Sequence, residues 1–269
     1  MQFINETLGD GVVPQAKHDS KEQKKQDYHD ETQIIEEMLN EIDQWARTPS
    51  DTSDTKNKNC WWITVIPAVG KPSLGAKVAK VFQNEKSLYA QYFVTRDVAA
   101  TTDPDNIFPA MAQQLAEKSP LAALVIHHKL ETTPLSIFKE FSDGQARSLL
   151  LEPLLAIAQY APKVVVVIHG VDELANAEPS IISRITSVLC SIMSDLLANV
   201  KILIFSQPEK WITAKIPLHI RRVDLDIKDS QVKVERLVRA KFGEVAEFHN
   251  WKDWPCEVLK NHQATKNCL

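Results

Sequence analysis

"KVVVVIHGVDEL", residues 163–174, decides how the rest of the chain is read. Four valines and an isoleucine run without a polar break. Such a run is apolar on both of its alternating faces, as expected of a strand in the middle of a parallel sheet covered on both sides. The run ends abruptly at His169-Gly170, and an acidic pair, Asp172-Glu173, follows. A covered parallel sheet needs helical crossovers, so further strands and helices should alternate on either side of this stretch.

They do. N-terminal to it, "CWWITVI" (60–66) and "LYAQYFV" (88–94) read as strands, with helical patterns at 73–84, at 105–130 interrupted at Pro120, and at 144–161. C-terminal to it, a helix is expected over 179–198 and a core strand at "VKILIFS" (200–206). A weaker fifth strand, "IRRVDL" (220–225), and a helix over 228–241 complete the rhythm. The fold class expected is α/β: a three-layer sandwich around a mostly parallel five-stranded sheet. An amphipathic helix over 31–47 precedes it, with Ile35, Met38, Leu39, Ile42 and Trp45 at helical spacing.

The division expected is a flexible segment over 1–30, amphipathic helix and linker over 31–59, the α/β domain over 60–245, and a tail over 246–269. Residues 1–59 carry a net charge of −6 and the remainder +2, within a total of −4 for 269 residues. Nothing in this balance points to nucleic acid or an anionic membrane. Trp61, Trp62, Trp251 and Trp254 have no basic patch beside them and read as packing anchors. The four cysteines form no C-x-x-C pair, which argues against zinc, and Cys60 and Cys190 read as buried thiols. His127 and His128 lie in an apolar helical run and read as solvent-edge packing. No signal peptide and no apolar run long enough to span a bilayer is visible, so a cytoplasmic protein is expected.

"VIPAVGKPSLGAK" (65–77) supplies the chemistry. Gly70-Lys71 lies between a strand and a helix, where a phosphate loop would sit. In such a loop, backbone N–H groups and a helix N-terminus face the phosphates, a lysine offsets their charge, and a hydroxyl ligates Mg²⁺. Here Val65 stands where the first glycine belongs. Pro72 stands where the hydroxyl residue belongs, and it lacks both N–H and O–H. Ser73 is one residue later, about 100° round the helix.

Taken in order, six stretches resemble the NACHT domain of fungal signalling NTPases, of the nephrocystin-type N-terminal kind in the STAND class of P-loop NTPases. They are the helix ending at Trp45, "WWITVIPAVGKPSLGAKVA", "YAQYFVTRD" (89–97), "DNIFPAMAQQLAEKSP" (105–120), "VVVVIHGVDEL" (164–174) and "ILIFSQPEKWI" (202–212). The likeness runs over roughly residues 15–255. It implies a five-stranded parallel sheet with the phosphate loop after the first strand, and ATP or GTP with Mg²⁺ as the cofactor. It puts Ala68, Gly70, Lys71, Ser73 and Arg96 in the nucleotide-binding set and Asp172 and Glu173 in the catalytic set. It also exposes departures. His169 replaces the Asp that would hold the Mg²⁺ hydration shell, so no metal ligand is assigned, and Gln207 replaces an Arg that senses the γ-phosphate.

The function expected is therefore a degenerate NACHT-type signalling or interaction module with hydrolysis lost. The alternatives are an active ATP/GTP switch with a re-threaded loop, and a fragment of a larger receptor. The partners expected are a nucleotide, weakly held or lost, and proteins, full-length NACHT relatives included, but not nucleic acid or membrane. The chain stops near where a next domain would begin in the family, so a truncated member is expected.

Overall fold

Five strands form one sheet: β1 (Cys60–Val65), β2 (Leu88–Phe93), β3 (Val164–His169), β4 (Val200–Ser206) and β5 (Arg221–Leu225). Their spatial order is β2-β3-β4-β1-β5, and every adjacent pair is parallel. The computed structural model describes residues 1–8, 13–21, 33–48, 59–65, 71–133, 141–217 and 220–225, leaving aside the side chains of 33–35, 71–73 and 175–177. All of these residues belong to a compact unit, Met1–Leu225. The expected helix over 228–241 and tail over 246–269 lie outside the described residues.

The strand order and the handedness rule together fix which helix lies on which face. From β1 the chain crosses β4 and β3 to reach β2 at the far edge. Each later crossover, β2 to β3, β3 to β4 and β4 to β5, runs the opposite way across the sheet. Right-handed crossovers in opposite directions put their connections on opposite faces. The helix after β1, α3 (Lys71–Asn84), accordingly lies alone among the described crossover helices on its face. There Leu74, Val78 and Phe82 meet Trp61, Ile63, Val165, Val167, Leu203 and Phe205. The other face carries α5 (Ile107–Lys118), α6 (Pro120–Thr132), α8 (Glu152–Ala158) and α9 (Pro179–Met193), packed over Trp62, Val166, Ile168, Ile202 and Ile204.

Two further helices complete the layers. α2 (Gln33–Arg47) buries Met38, Ile42 and Trp45 beside α3. Its outer face presents Glu36, Glu37 and Glu41. The expectation of little fixed structure over 1–30 is corrected for the described residues: α1 (Gln2–Leu8) is a helix, and Ile4, Val13 and Ala16 join the core of the opposite face. Three small apolar contacts are too few to make a periodic pattern in a polar sequence, yet they suffice to dock it. The backbone N–H of His18 donates to Gln91 Oε1 at 3.1 Å, tying this segment to edge strand β2. Gln114 satisfies the same edge as another strand would. Its Oε1 accepts from the Gln91 N–H (3.0 Å) and its Nε2 donates to the Gln91 carbonyl (2.8 Å).

Proline sets two helix boundaries. Pro120 opens α6 with Ser119 as N-cap, the hydroxyl accepting from the Ala122 N–H. Pro153 lies inside the expected helix 144–161, which is divided into α7 (Asp143–Ala146), a π-helical turn at Arg147–Leu151, and α8. A proline has no N–H and its ring crowds the carbonyl four residues back, so the widened turn just before it accommodates the ring.

Candidate nucleotide site

β1 and β4 are neighbours whose outgoing connections run in opposite directions across the sheet. In a parallel α/β sheet this switch point leaves a crevice beyond the carboxyl ends of the two strands, where such folds bind ligands. The segments that converge there are the end of β1 at Val65, the start of α3, His169-Gly170 after β3 and Ser206-Gln207 at the end of β4.

The proposed binding residues fall unevenly on this frame. Ala68 and Gly70 lie outside the described residues. Lys71 and Ser73 occupy the first turn of α3, with Pro72 between them. A proline is well tolerated there, and the free N–H groups of a helix start favour an anion. Val65 is not a distorted loop residue. It is the last residue of β1, paired with Leu225 and buried on the α3 face, where a β-branched side chain belongs. Arg96 sits in an exposed turn between β2 and the short helix α4 (Ala99–Thr102). That turn is pinned by Thr101, whose Oγ1 accepts from the Thr95 N–H and donates to the Thr95 carbonyl, both at 2.9 Å.

The family model for nephrocystin 3, N-terminal, matches residues 37–207, more than half of the chain. The chain belongs to the nephrocystin-3 N-terminal family. The matched span reaches from within α2 to the residue after β4, so it takes in each strand end that borders the crevice except that of β5. No curated protein matches the chain. Among solved structures, C. elegans PCH-2 is similar at 15% identity and a TM-score of 0.34, over 90% of this chain and 52% of that one. The chain thus spans about half the length of that protein.

In this family member the turn after β3 is built on backbone hydrogen bonds to both neighbouring strands. The His169 carbonyl accepts from the Val94 N–H, and the Gly170 N–H donates to the Phe205 carbonyl, each at 2.9 Å. Gly170 has φ +84°, where other residues are strained, and a Cβ there would also crowd Val94 Cβ at 3.1 Å. Asp172 and Glu173 open a 3₁₀ turn, Val171–Ala177. Asp172 is buried, and its Oδ1 accepts from the Gln207 N–H at 2.9 Å, linking the loops after β3 and β4. Behind them, Trp62 Nε1 donates to Ser206 Oγ at 2.9 Å, and Ser206 Oγ donates to the Gln207 carbonyl at 3.0 Å. Glu173 is half-buried.

His169 points to the α3 face and is 2% exposed. Its ring stacks on Phe93 (5.1 Å between centroids, 14° between planes) and tilts against Phe205 at 5.9 Å. Gly75 of α3 lies directly over it; a Cβ at position 75 would come 2.7 Å from His169 Cδ2. Mg²⁺ demands oxygen ligands in near-octahedral geometry. An imidazole packed among phenylalanines beneath a helix does not supply them, so the residues at this strand end do not fit the ion that the resemblance implied. Among the described residues no group of three His, Cys, Asp or Glu could hold a metal.

Three features were missed in the sequence. Gly75 is one; a glycine inside a helical pattern gives no sign of what lies above it. The second is a column on the α3 face in which two stacked rings carry a cation at each end. Lys201 Nζ lies 5.1 Å from the Trp45 ring, Trp45 stacks on Trp61 at 4.7 Å, and the Arg221 guanidinium lies 4.1 Å from Trp61. Lys201 is 1% exposed, and burial pulls its amine down to about 8. The third is the bond between Thr64 Oγ1 and Asp224 at the ends of β1 and β5. Cys60 and Cys190 are buried as expected; burial pushes Cys190 up to about 12 and Cys60 well above its usual value. Among the described residues no helix is long and apolar enough to cross a membrane.

Proposed function

We propose that the chain is a nucleotide-binding module of the NACHT-like, STAND kind that holds a nucleoside di- or triphosphate at the β1–β4 switch point and has lost hydrolysis. One observation carries this. The strand β1 leads to a helix that begins at Lys71, and among the described crossover helices that one alone packs on its face of the sheet while the others take the opposite one. A helix N-terminus with a lysine in its first turn, at a switch point, is a site for phosphate.

The loss of hydrolysis follows from what borders the crevice. His169 is committed to packing, Asp172 to the Gln207 N–H, and Gln207 is a neutral residue where a cation would steady a developing phosphate charge. Each missing transition-state donor costs roughly 10²–10³ in rate. The module therefore acts through occupancy and contact with protein partners rather than through turnover.

Titration calorimetry with ATP, GTP and ADP tests the proposal. Saturable binding is expected, with Lys71→Ala weakening it by roughly 10- to 100-fold, the worth of one charge-assisted hydrogen bond. Phosphate release should not rise above the buffer rate. Absence of saturable binding, or an affinity indifferent to Lys71, would refute the nucleotide site, and turnover abolished by Glu173→Gln would refute the loss of hydrolysis.

A further inference from the structure

We infer that this site takes its nucleotide without a divalent cation, and that His169 serves there as a positioning residue, a strut between the sheet and α3. The inference rests on the nucleotide reading and adds how the phosphates are neutralised.

Consider first the acids and bases at the described ends of β3 and β5. At the end of β3, the ring of His169 lies flat on Phe93, leans on Phe205 and is covered by Gly75. Turning it toward the crevice would break both ring contacts and leave a void beneath α3. Three residues on, Asp172 is buried and its Oδ1 accepts from the Gln207 N–H. Recruiting it to a cation would leave that N–H without its acceptor. Near the end of β5, Asp224 accepts from Thr64 and from Arg222 Nε (2.6 Å), so it is already matched to a cation of the protein. Glu173, the other carboxylate in the turn after β3, is half-buried and already engaged within the protein, whereas Mg²⁺ held through phosphates still needs one or two protein carboxylates.

Among the described residues, positive charge for phosphate comes without a metal from the N-terminal end of α3 with Lys71 in its first turn. The position of α3 then matters more than in a metal-assisted site, because no ion bridges phosphate to the sheet. The contact that sets the height of α3 over the end of β3 is His169 against Gly75, at a separation that leaves no room for even one added methyl group.

The test is a matrix of ATP titrations, in EDTA and in excess Mg²⁺, on the wild-type chain, His169→Phe and His169→Ala. The wild type should give the same Kd in both buffers, within about twofold. His169→Phe keeps a flat ring and should bind as the wild type does. His169→Ala should bind about tenfold more weakly in both buffers alike. A wild-type Kd tightened about fivefold or more by Mg²⁺ would overturn the metal-free site. His169→Ala binding as tightly as the wild type would overturn the strut. Should His169→Ala fail to fold, His169→Leu, which fills the space without a flat ring, takes its place with the same expected weakening. No binding by the wild type in either buffer would refute the nucleotide reading itself, and this inference with it.

Discussion

Gly75→Ala puts one methyl group where the structure has none to spare. The new Cβ would lie 2.7 Å from His169 Cδ2, against about 3.5–4.0 Å for a relaxed carbon–carbon contact. The ring cannot step aside, because Phe93 lies flat beneath it and Phe205 flanks it. Overpacking of this kind costs about 1–3 kcal/mol. Working against it, alanine is favoured over glycine inside a helix by about 1 kcal/mol. Gly75→Ala alone should therefore destabilise by about 0–2 kcal/mol. His169→Ala alone opens a cavity and should cost about 2–4 kcal/mol. In that background the clash is gone and the helix preference remains, so adding Gly75→Ala should stabilise by up to about 1 kcal/mol. The change of sign, a coupling of about 1–3 kcal/mol, is the diagnostic quantity. Urea unfolding followed by circular dichroism on all four chains yields it, provided the slopes agree. Additivity to within about 0.5 kcal/mol would show that Gly75 and His169 do not press on one another, and the account of α3's position would fail.

Other expectations follow from single contacts. The Lys201 amine, lowered to about 8 by burial from 10.5, binds fewer protons folded than unfolded in between. Stability should therefore rise as pH rises from about 8 to 10.5, by at most about 3 kcal/mol and by less insofar as the Trp45 ring steadies the cation. Lys201→Met should flatten that slope in pH-dependent urea unfolding; an unchanged slope would sink the assignment. Trp45→Ala removes the ring between Lys201 and Trp61 and should cost about 3–5 kcal/mol, with faster hydrogen exchange concentrated in α2. Uniform exchange across the sheet would contradict that placement. Asp172→Ala strands the Gln207 N–H and should cost about 1–3 kcal/mol, whereas Asp172→Asn, which keeps an acceptor, should cost under about 1 kcal/mol in the same unfolding assay. Equal losses would mean that the charge, not the acceptor, matters.

The sheet was legible in the sequence because its strands are buried on both faces. The runs at 60–66, 164–169 and 200–206 carry that burial as unbroken apolar sequence, and β5, an edge strand with alternating exposure, carried a weaker signal. The break at Pro120 was legible because proline and its N-cap act locally. The order of the strands was not, since no residue pattern states that β4 inserts between β3 and β1. Nor was the docking of α1, which depends on Ile4 meeting a surface assembled from distant segments. At the site, Lys71, His169, Asp172 and Gln207 lie at strand ends or helix starts, as their sequence context indicates, but which way each faces came from the fold. His169 turns to the α3 face because it continues the alternation of Val165 and Val167, and Val65 shares that face as a strand residue rather than a loop residue.

A crystal structure of the chain grown with a non-hydrolysable ATP analogue and Mg²⁺ reaches the central claim most directly. The account places the phosphates at the start of α3 beside Lys71, with His169 still flat against Phe93 and no protein oxygen on the metal. Phosphates bound away from the β1–β4 crevice, or a Mg²⁺ ion ligated by Asp172 with His169 swung out, would contradict it.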